Sequence, residues 1–226
     1  MALLALPLAA SPQEPPTPLT PSPALSGCTG LVRIPSAEVL PYGQYALGVN
    51  ALSREYRPYL RGGDTVAHFV TVGVFPRVEV SAVFTNHDGR LGAQHYEDLG
   101  TGVGGWNIDR MLSVQAVLLP QTAARPVSVA AGWQDIAGTG AFRTRYLVAT
   151  HRRPTYGLHL GVGDGILGPV FAGVDAQATP QIRAMLEYDG AHANLGVEAR
   201  LGHFRVTPVL SGLKSLGGGI TYCQSL

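Results

Sequence analysis

The chain has 226 residues, 46% of them apolar and only 14% charged, with a formal net charge of +1. That balance gives no basic field for nucleic acid and no acidic tail, and no apolar run approaches the ~20 residues of a membrane-spanning helix. Twenty-nine glycines point instead to many short strands and turns.

The chain opens on MALLALPLAA, residues 1–10, a short apolar run ending in small residues. It has the form of the apolar core and cleavage end of an export signal, without a basic flank before it. Residues 11–29 follow as a Pro-rich linker, expected to be a disordered leader that does not pack. Within it, Leu25-Ser26-Gly27-Cys28 has the form of a lipoprotein cleavage box, which makes Cys28 a candidate for lipidation; a plain flexible leader is the alternative. Cys28 and Cys223 are the two cysteines, and either one bridge or two thiols fits so small a number.

From residue 44 onward, apolar and polar residues alternate with the period of a strand that has two unlike faces. Val78, Val80, Ala82 and Phe84 oppose Arg77, Glu79, Ser81 and Thr85; Ala193, Leu195, Val197 and Ala199 oppose His192, Asn194, Glu198 and Arg200. The pattern predicts about twelve strands, at 44–52, 65–75, 77–86, 110–119, 126–133, 145–151, 155–163, 168–177, 180–188, 192–201, 204–210 and 215–223. Several have the ~9–11 residues that a tilted strand needs to cross a bilayer. In the first half, long connections at 53–64, 87–109 and 134–144 alternate with short ones at 76, 120–125 and 152–154, as outer loops alternate with periplasmic turns.

Alternation alone does not say which face is inside. Arg77, Glu79, Arg183, Glu187, Glu198, Arg200 and Arg205 share the polar face. A cation facing mid-bilayer lipid costs about 2–4 kcal/mol, so in a membrane these charges line a lumen. Many small residues accompany them, and Lys and Glu do not saturate that face as they would a soluble surface. The expected fold is therefore an all-β, antiparallel, up-and-down transmembrane barrel spanning residues 30–226. A soluble lipocalin-like binding barrel is the opposite solution to the same alternation. Ser215-Leu216-Gly217-Gly218-Gly219-Ile220-Thr221-Tyr222 adds a segment similar to the terminal signal read by outer-membrane insertion machinery.

Gly30-Leu31, Pro35-Ser36-Ala37 and Gly43 resemble the entry motif of the YjbH-type proteins, barrels associated with exopolysaccharide secretion. Gly132, Asp135, Gly138-Thr139-Gly140, Phe142 and Tyr146-Leu147-Val148-Ala149 resemble that family's most recognisable segment, with Arg145 where an acidic residue is expected. Phe171, Gly173-Val174-Asp175 and Glu187-Tyr188-Asp189-Gly190 are similar to later segments. The resemblance implies a barrel in the bacterial outer membrane with a part in polysaccharide or capsule export or envelope assembly. Its partners would be outer-membrane lipid, polysaccharide and envelope export proteins. A structural or adhesive barrel that transports nothing is the alternative, because fold does not fix function.

Other chemistry finds little support. Gly100-Thr101-Gly102-Val103-Gly104-Gly105 lacks the flanking strand and helix of a dinucleotide site and reads as an outer loop. The seven histidines have no metal-ligand spacing, and no GxSxG elbow is present. His68 interrupts an apolar face, which fits an interface-level histidine. No catalytic residue, metal or cofactor is expected. Arg54, Tyr56, Arg57 and Tyr59 in the first long loop could hold an acidic glycan by charge and stacking. Asp135, Gly138, Thr139 and Gly140 read as a turn that uses glycine at positive φ.

Overall fold

The computed structural model describes residues 20–53, 65–86, 108–138, 140 and 142–225. Among them are twelve strands: β1 (Gln44–Leu52), β2 (Thr65–Phe75), β3 (Val78–Asn86), β4 (Ile108–Leu119), β5 (Ser128–Gly138), β6 (Thr144–Arg152), β7 (Tyr156–Gly163), β8 (Phe171–Thr179), β9 (Ile182–Tyr188), β10 (Ala193–Leu201), β11 (Phe204–Ser211) and β12 (Ser215–Ser225). Each pairs antiparallel with its sequence neighbours, and β1 pairs with β12 from Gln44↔Ser225 to Ala51↔Gly218, which closes the barrel. Closure leaves no edge strand to be covered. With an even strand number, β1 begins and β12 ends at one end of the barrel. We call this the termini end; the turns at 76–77, 120–127, 153–155, 180–181 and 202–203 share it.

The expected strands and the observed ones coincide to within a few residues, except at β5. That strand runs on to Gly138, inside the span read as an outer loop. Its extension contains an irregularity: Leu112 pairs with Ala137, while Val114 pairs with Trp133. Two extra residues are therefore accommodated on β5, around Asp135 at φ 53. A bulge breaks strict alternation, so periodicity stopped the strand too early.

Leu47, Phe84, Leu147, Leu158, Leu160, Leu186 and Leu195 point outward and are exposed. Thr71, Glu79, Ser81, Gln115, Thr150, Asp175 and Glu198 point inward and are buried. Tyr45, Phe204 and Tyr222 form an aromatic group on the outside at the termini end, with ring centroids 5.3 and 6.4 Å from that of Tyr222. Inside, three aromatics lie over glycines directly across from them on the next strand: Phe69 on Gly48, Tyr146 on Gly132 and Phe171 on Gly161. A Cβ at these glycines would stand 2.1–2.2 Å from the ring atoms. The small residues of the inner face thus make room for large ones, an arrangement that pins register.

The largest departure from the sequence reading lies before β1. Residues 20–29, expected to be part of an unpacked linker, are inside the barrel with residues 30–40. Leu25, Leu31, Val32, Ile34 and Leu40 are each 5% exposed or less and pack with Val83, Met111, Val148, Met185 and Val209. The segment folds on itself through paired bridges, Pro23↔Thr29 and Gly30↔Pro35. Proline removes amide donors that a buried loop must otherwise satisfy. Some of the remaining donors meet carbonyls of the segment itself, as Ala24 meets Cys28 and Leu25 meets Val32, and others find acceptors on the barrel wall, which is why a stretch unable to form its own core is ordered here. The expected leader at 1–19 lies outside the described residues.

Candidate functional site

The inner wall holds the segment 20–40, here called the plug, through carboxylates aimed at its backbone. Glu79 accepts bonds from the Thr29 amide at 2.6 Å, the Thr29 hydroxyl at 2.5 Å and the Leu40 amide at 2.9 Å. Glu187 accepts from three successive amides, Val32 at 3.0 Å, Arg33 at 2.9 Å and Ile34 at 3.2 Å, and from the Asn194 amide at 3.0 Å. Three consecutive N–H groups converging on one anion form a nest. Glu198 takes the Ser22 hydroxyl and pairs with Arg200 at 3.1 Å and Arg205 at 3.6 Å. Arg200 and Arg205 in turn reach the carbonyls of Thr20 and Pro21.

A second cluster centres on Asp175. Its carboxylate pairs with Arg152 at 2.7 Å and Arg183 at 3.1 Å and meets His159 Nε2 at 2.6 Å. Arg152 also grips Glu38 of the plug in a two-pronged contact, at 2.9 and 2.6 Å. The Thr150 hydroxyl accepts the Ala37 amide at 2.8 Å and stands 2.9 Å from His159 Nδ1. The Asp175 carboxylate can only accept, so the proton is assigned to Nε2; Nδ1 of the neutral ring is then the acceptor, and the Thr150 hydroxyl donates to it. The hydroxyl–imidazole–carboxylate order is that of a nucleophilic triad. Thr150 is fully buried against the plug, however, so the arrangement as it stands positions a chain and leaves no room for a substrate.

Of the seven charges assigned to the lumen, Glu79, Arg183, Glu187, Glu198 and Arg205 are buried inside and Arg200 is half-buried beside Glu198. Arg77 is a correction. It is exposed in the β2–β3 turn at φ 74, because Pro76-Arg77 makes the turn and alternation begins only at Val78. Arg183 and Glu187, opposite in charge and on the same face of β9, do not pair. Residues four apart on a strand are separated by roughly 13 Å along it, and Arg183 turns to Asp175 instead. Asp135 is buried in the β5 bulge, where its carboxylate accepts the Phe142 amide at 3.1 Å. Gly140 has φ 80 as a turn requires, Gly138 ends β5, and Thr139 lies outside the described residues. Arg54, Tyr56, Arg57 and Tyr59 also lie outside them.

Cys28 was the candidate for lipidation. It is fully buried among Ser113, Gln134 and Tyr146, and burial pushes its thiol well above the usual range. Both cysteines are free thiols. Among the described residues no group of His, Cys, Asp or Glu is placed to hold a metal ion.

The sequence reading did not assign Arg33, Glu38, Arg152, His159, Asp175 or Asp189 to the site. Arg33 and Asp189 make a buried pair at 2.8 Å where the plug meets the β9–β10 turn. Burial raises the Asp189 carboxyl, but the Arg33 guanidinium and the His192 and Ala191 amides outweigh it and hold it below the ordinary value. A depressed folded value means stability that is fully present above the unfolded value of ~3.9 and lost as pH falls through the folded one. We expect the melting-temperature gap between wild type and Asp189→Asn to be widest above about pH 5 and to narrow toward pH 3. Parallel thermal scans across that range, in one detergent, check it.

Comparison with known proteins bears on this plugged barrel directly. The family model described as "Exopolysaccharide biosynthesis protein YbjH" matches residues 24–225, plug and strands together. The chain belongs to the YjbH family. Its match begins at Ala24, so most of the plug falls within the family's own span. A curated relative from Escherichia coli (strain K12), named "Uncharacterized lipoprotein YjbH", is 29% identical over 161 residues, which is 68% of this chain and 20% of that protein. The YjbH-family chain thus spans about one fifth of that relative. A solved structure, the Acinetobacter baumannii outer membrane protein Omp33, aligns over 81% of this chain and 98% of its own at 12% identity, with a TM-score of 0.43.

Proposed function

We propose that this YjbH-family chain is an outer-membrane barrel of the bacterial envelope, serving exopolysaccharide or capsule export or envelope assembly, and that it does so without catalysing a reaction. The observation that carries the membrane reading is the inverted polarity of the wall. Leu158, Leu160 and Val162 of β7 are 48–60% exposed on the outside, while Glu79, Asp175 and Glu198 are 0–1% exposed within. A soluble lipocalin-like barrel would have those faces exchanged. The family description supports the polysaccharide link, with glycan, lipid and other envelope proteins as partners.

The plug favours a second reading beside export, a barrel closed in its resting form that serves as a structural element. Two experiments separate these. Leu160→Arg places a cation in the middle of β7's outer face and should destabilise the barrel in lipid by about 2–4 kcal/mol. Urea titration in vesicles, followed by heat-modifiable gel mobility, reads this; an unchanged midpoint would count against a lipid-facing wall. Deleting the gene and measuring surface polysaccharide tests the role. Loss restored by the wild-type copy supports export, and an unchanged glycan coat supports the structural reading.

A further inference from the structure

We propose that the termini-end mouth of the barrel is a binding site for a short carboxylate-bearing stretch of saccharide, held by Arg77 and Arg153. The saccharide class rests on the polysaccharide reading above; the site itself rests on geometry. A cavity of about 670 Å³ opens there between the base of the plug, the β2–β3 turn, the β4–β5 connection and the β6–β7 turn. That lies within the roughly 300–1,000 Å³ of small-ligand clefts. It suits a few sugar units rather than a whole chain. Its charged lining is Arg77, Arg152 and Arg153 against Glu38 alone.

These arginines differ in what they already hold. Arg152 is neutralised by Glu38 and Asp175 and serves as wall. Its backbone N–H and C=O are both held by the Gln121 side-chain amide, at 2.9 and 2.8 Å, which fastens the β4–β5 connection to the β6–β7 turn. Arg153 meets no carboxylate among the described residues; its Nε donates to His151 Nε2 at 3.2 Å. His151 Nδ1 stands 2.6 Å from the Pro126 carbonyl and so donates to it, which leaves Nε2 free to accept and orients the guanidinium. Arg77 likewise meets no carboxylate among the described residues. Both guanidinium groups line the one cavity with no carboxylate partner among the described residues, and each can take a carboxylate in the two-pronged manner. Apolar surface from Pro21, Pro120 and Pro126 completes the walls for the C–H faces of sugar rings.

The backbone at Arg77 is an independent observation. Pro76-Arg77 forms the turn with φ 74 at Arg77, a position where glycine or asparagine is at ease and a long side chain is strained. Strain of this kind gathers where the side chain has work to do. It also provides a variant that separates folding from binding, since Arg77→Gly relieves the backbone while removing the charge.

The test uses the full chain in detergent micelles, with trigalacturonate as the acidic probe and maltotriose as the neutral one, by calorimetry. Trigalacturonate should bind and maltotriose should not. Arg77→Gly and Arg153→Ala should each weaken binding about tenfold, the loss of one charge-assisted contact. Arg143→Ala, at the other end of the barrel, should leave it unchanged, and raised salt should weaken it. Unaltered affinity in both mouth variants, with heat-modifiable mobility retained, overturns the site, as does absence of binding to the wild type. In cells the two readings part. If Arg77→Gly/Arg153→Ala restores surface glycan to a deletion strain as well as wild type does, the site fails and the polysaccharide role stands. If deletion leaves the glycan unchanged, the role fails whatever the micelle experiment gives.

Discussion

Replacing Glu187 with alanine should turn a closed barrel into a leaky one. The carboxylate is the common acceptor for the Val32, Arg33 and Ile34 amides and for Asn194. Its removal leaves the three backbone amides inside the barrel without their acceptor, while Asn194 keeps Asp189 at 3.2 Å, at about 1–3 kcal/mol for each amide that water fails to reach. A total loss on the order of 3 kcal/mol or more is expected, concentrated on the plug and sparing the strand ladders. In planar bilayers the wild type should be nearly silent, and Glu187→Ala should pass current in bursts as the plug loosens. Glu187→Gln, which keeps an acceptor oxygen, should fall between them. A silent Glu187→Ala barrel with unchanged thermal stability would mean that the apolar contacts of Leu31, Val32 and Ile34 hold the plug without this anchor.

Asp175→Ala should have the larger effect on the barrel itself. It leaves the Arg152 and Arg183 guanidinium groups and the His159 N–H without their shared carboxylate. Breaking a buried ion pair by deleting one member costs about 3–5 kcal/mol, because the remaining charge stays desolvated. The folded band on an unboiled gel should vanish at a lower temperature, and recovery after reconstitution should drop. Adding Arg183→Leu to Asp175→Ala should recover part of the loss, since it removes a buried charge left with only the longer contact to Glu198 at 4.0 Å; a double-mutant cycle measures that coupling. Strict additivity of the two substitutions would show that Arg152, with Glu38 as its second partner, is the charge that matters.

The wall of this barrel was legible in its sequence because strand faces repeat every two residues. Alternation put Glu79, Glu187 and Glu198 on one shared face, and the cost of charge against lipid made that face the inner one. What alternation could not place was anything set by a single local event: the Pro76-Arg77 turn that takes Arg77 out of the lumen, and the bulge at Asp135 that extends β5. The plug was illegible for a different reason. Its residues have no period, and their burial is decided by partners such as Glu187 and Asp189, about 155 positions away. A signal was nevertheless present. Leu25, Leu31, Val32, Ile34 and Leu40 are too apolar for a solvated linker, and a twelve-strand lumen is wider than side chains alone fill. Asp175 and His159 lie on the same inner faces as their glycine neighbours, but their pairing crosses strands and needed the register.

The long reach of the plug's contacts also sets an order of events in assembly. Ser22 and Glu198 are 176 residues apart, so the earliest part of this segment cannot find its partner until all the strands up to β10 have been made. Contacts so distant form late, since the entropy of closing the intervening loop opposes them until other structure shortens it. The sheet must therefore curl around a segment already in place, or the segment must thread into a nearly finished cylinder before β1 meets β12. In either case the final zipping of that seam and the seating of residues 20–40 become one cooperative step. A chaperone or insertion factor acting on this protein would have to keep an apolar, proline-rich strand-less stretch from sticking elsewhere for the time it takes to make the rest.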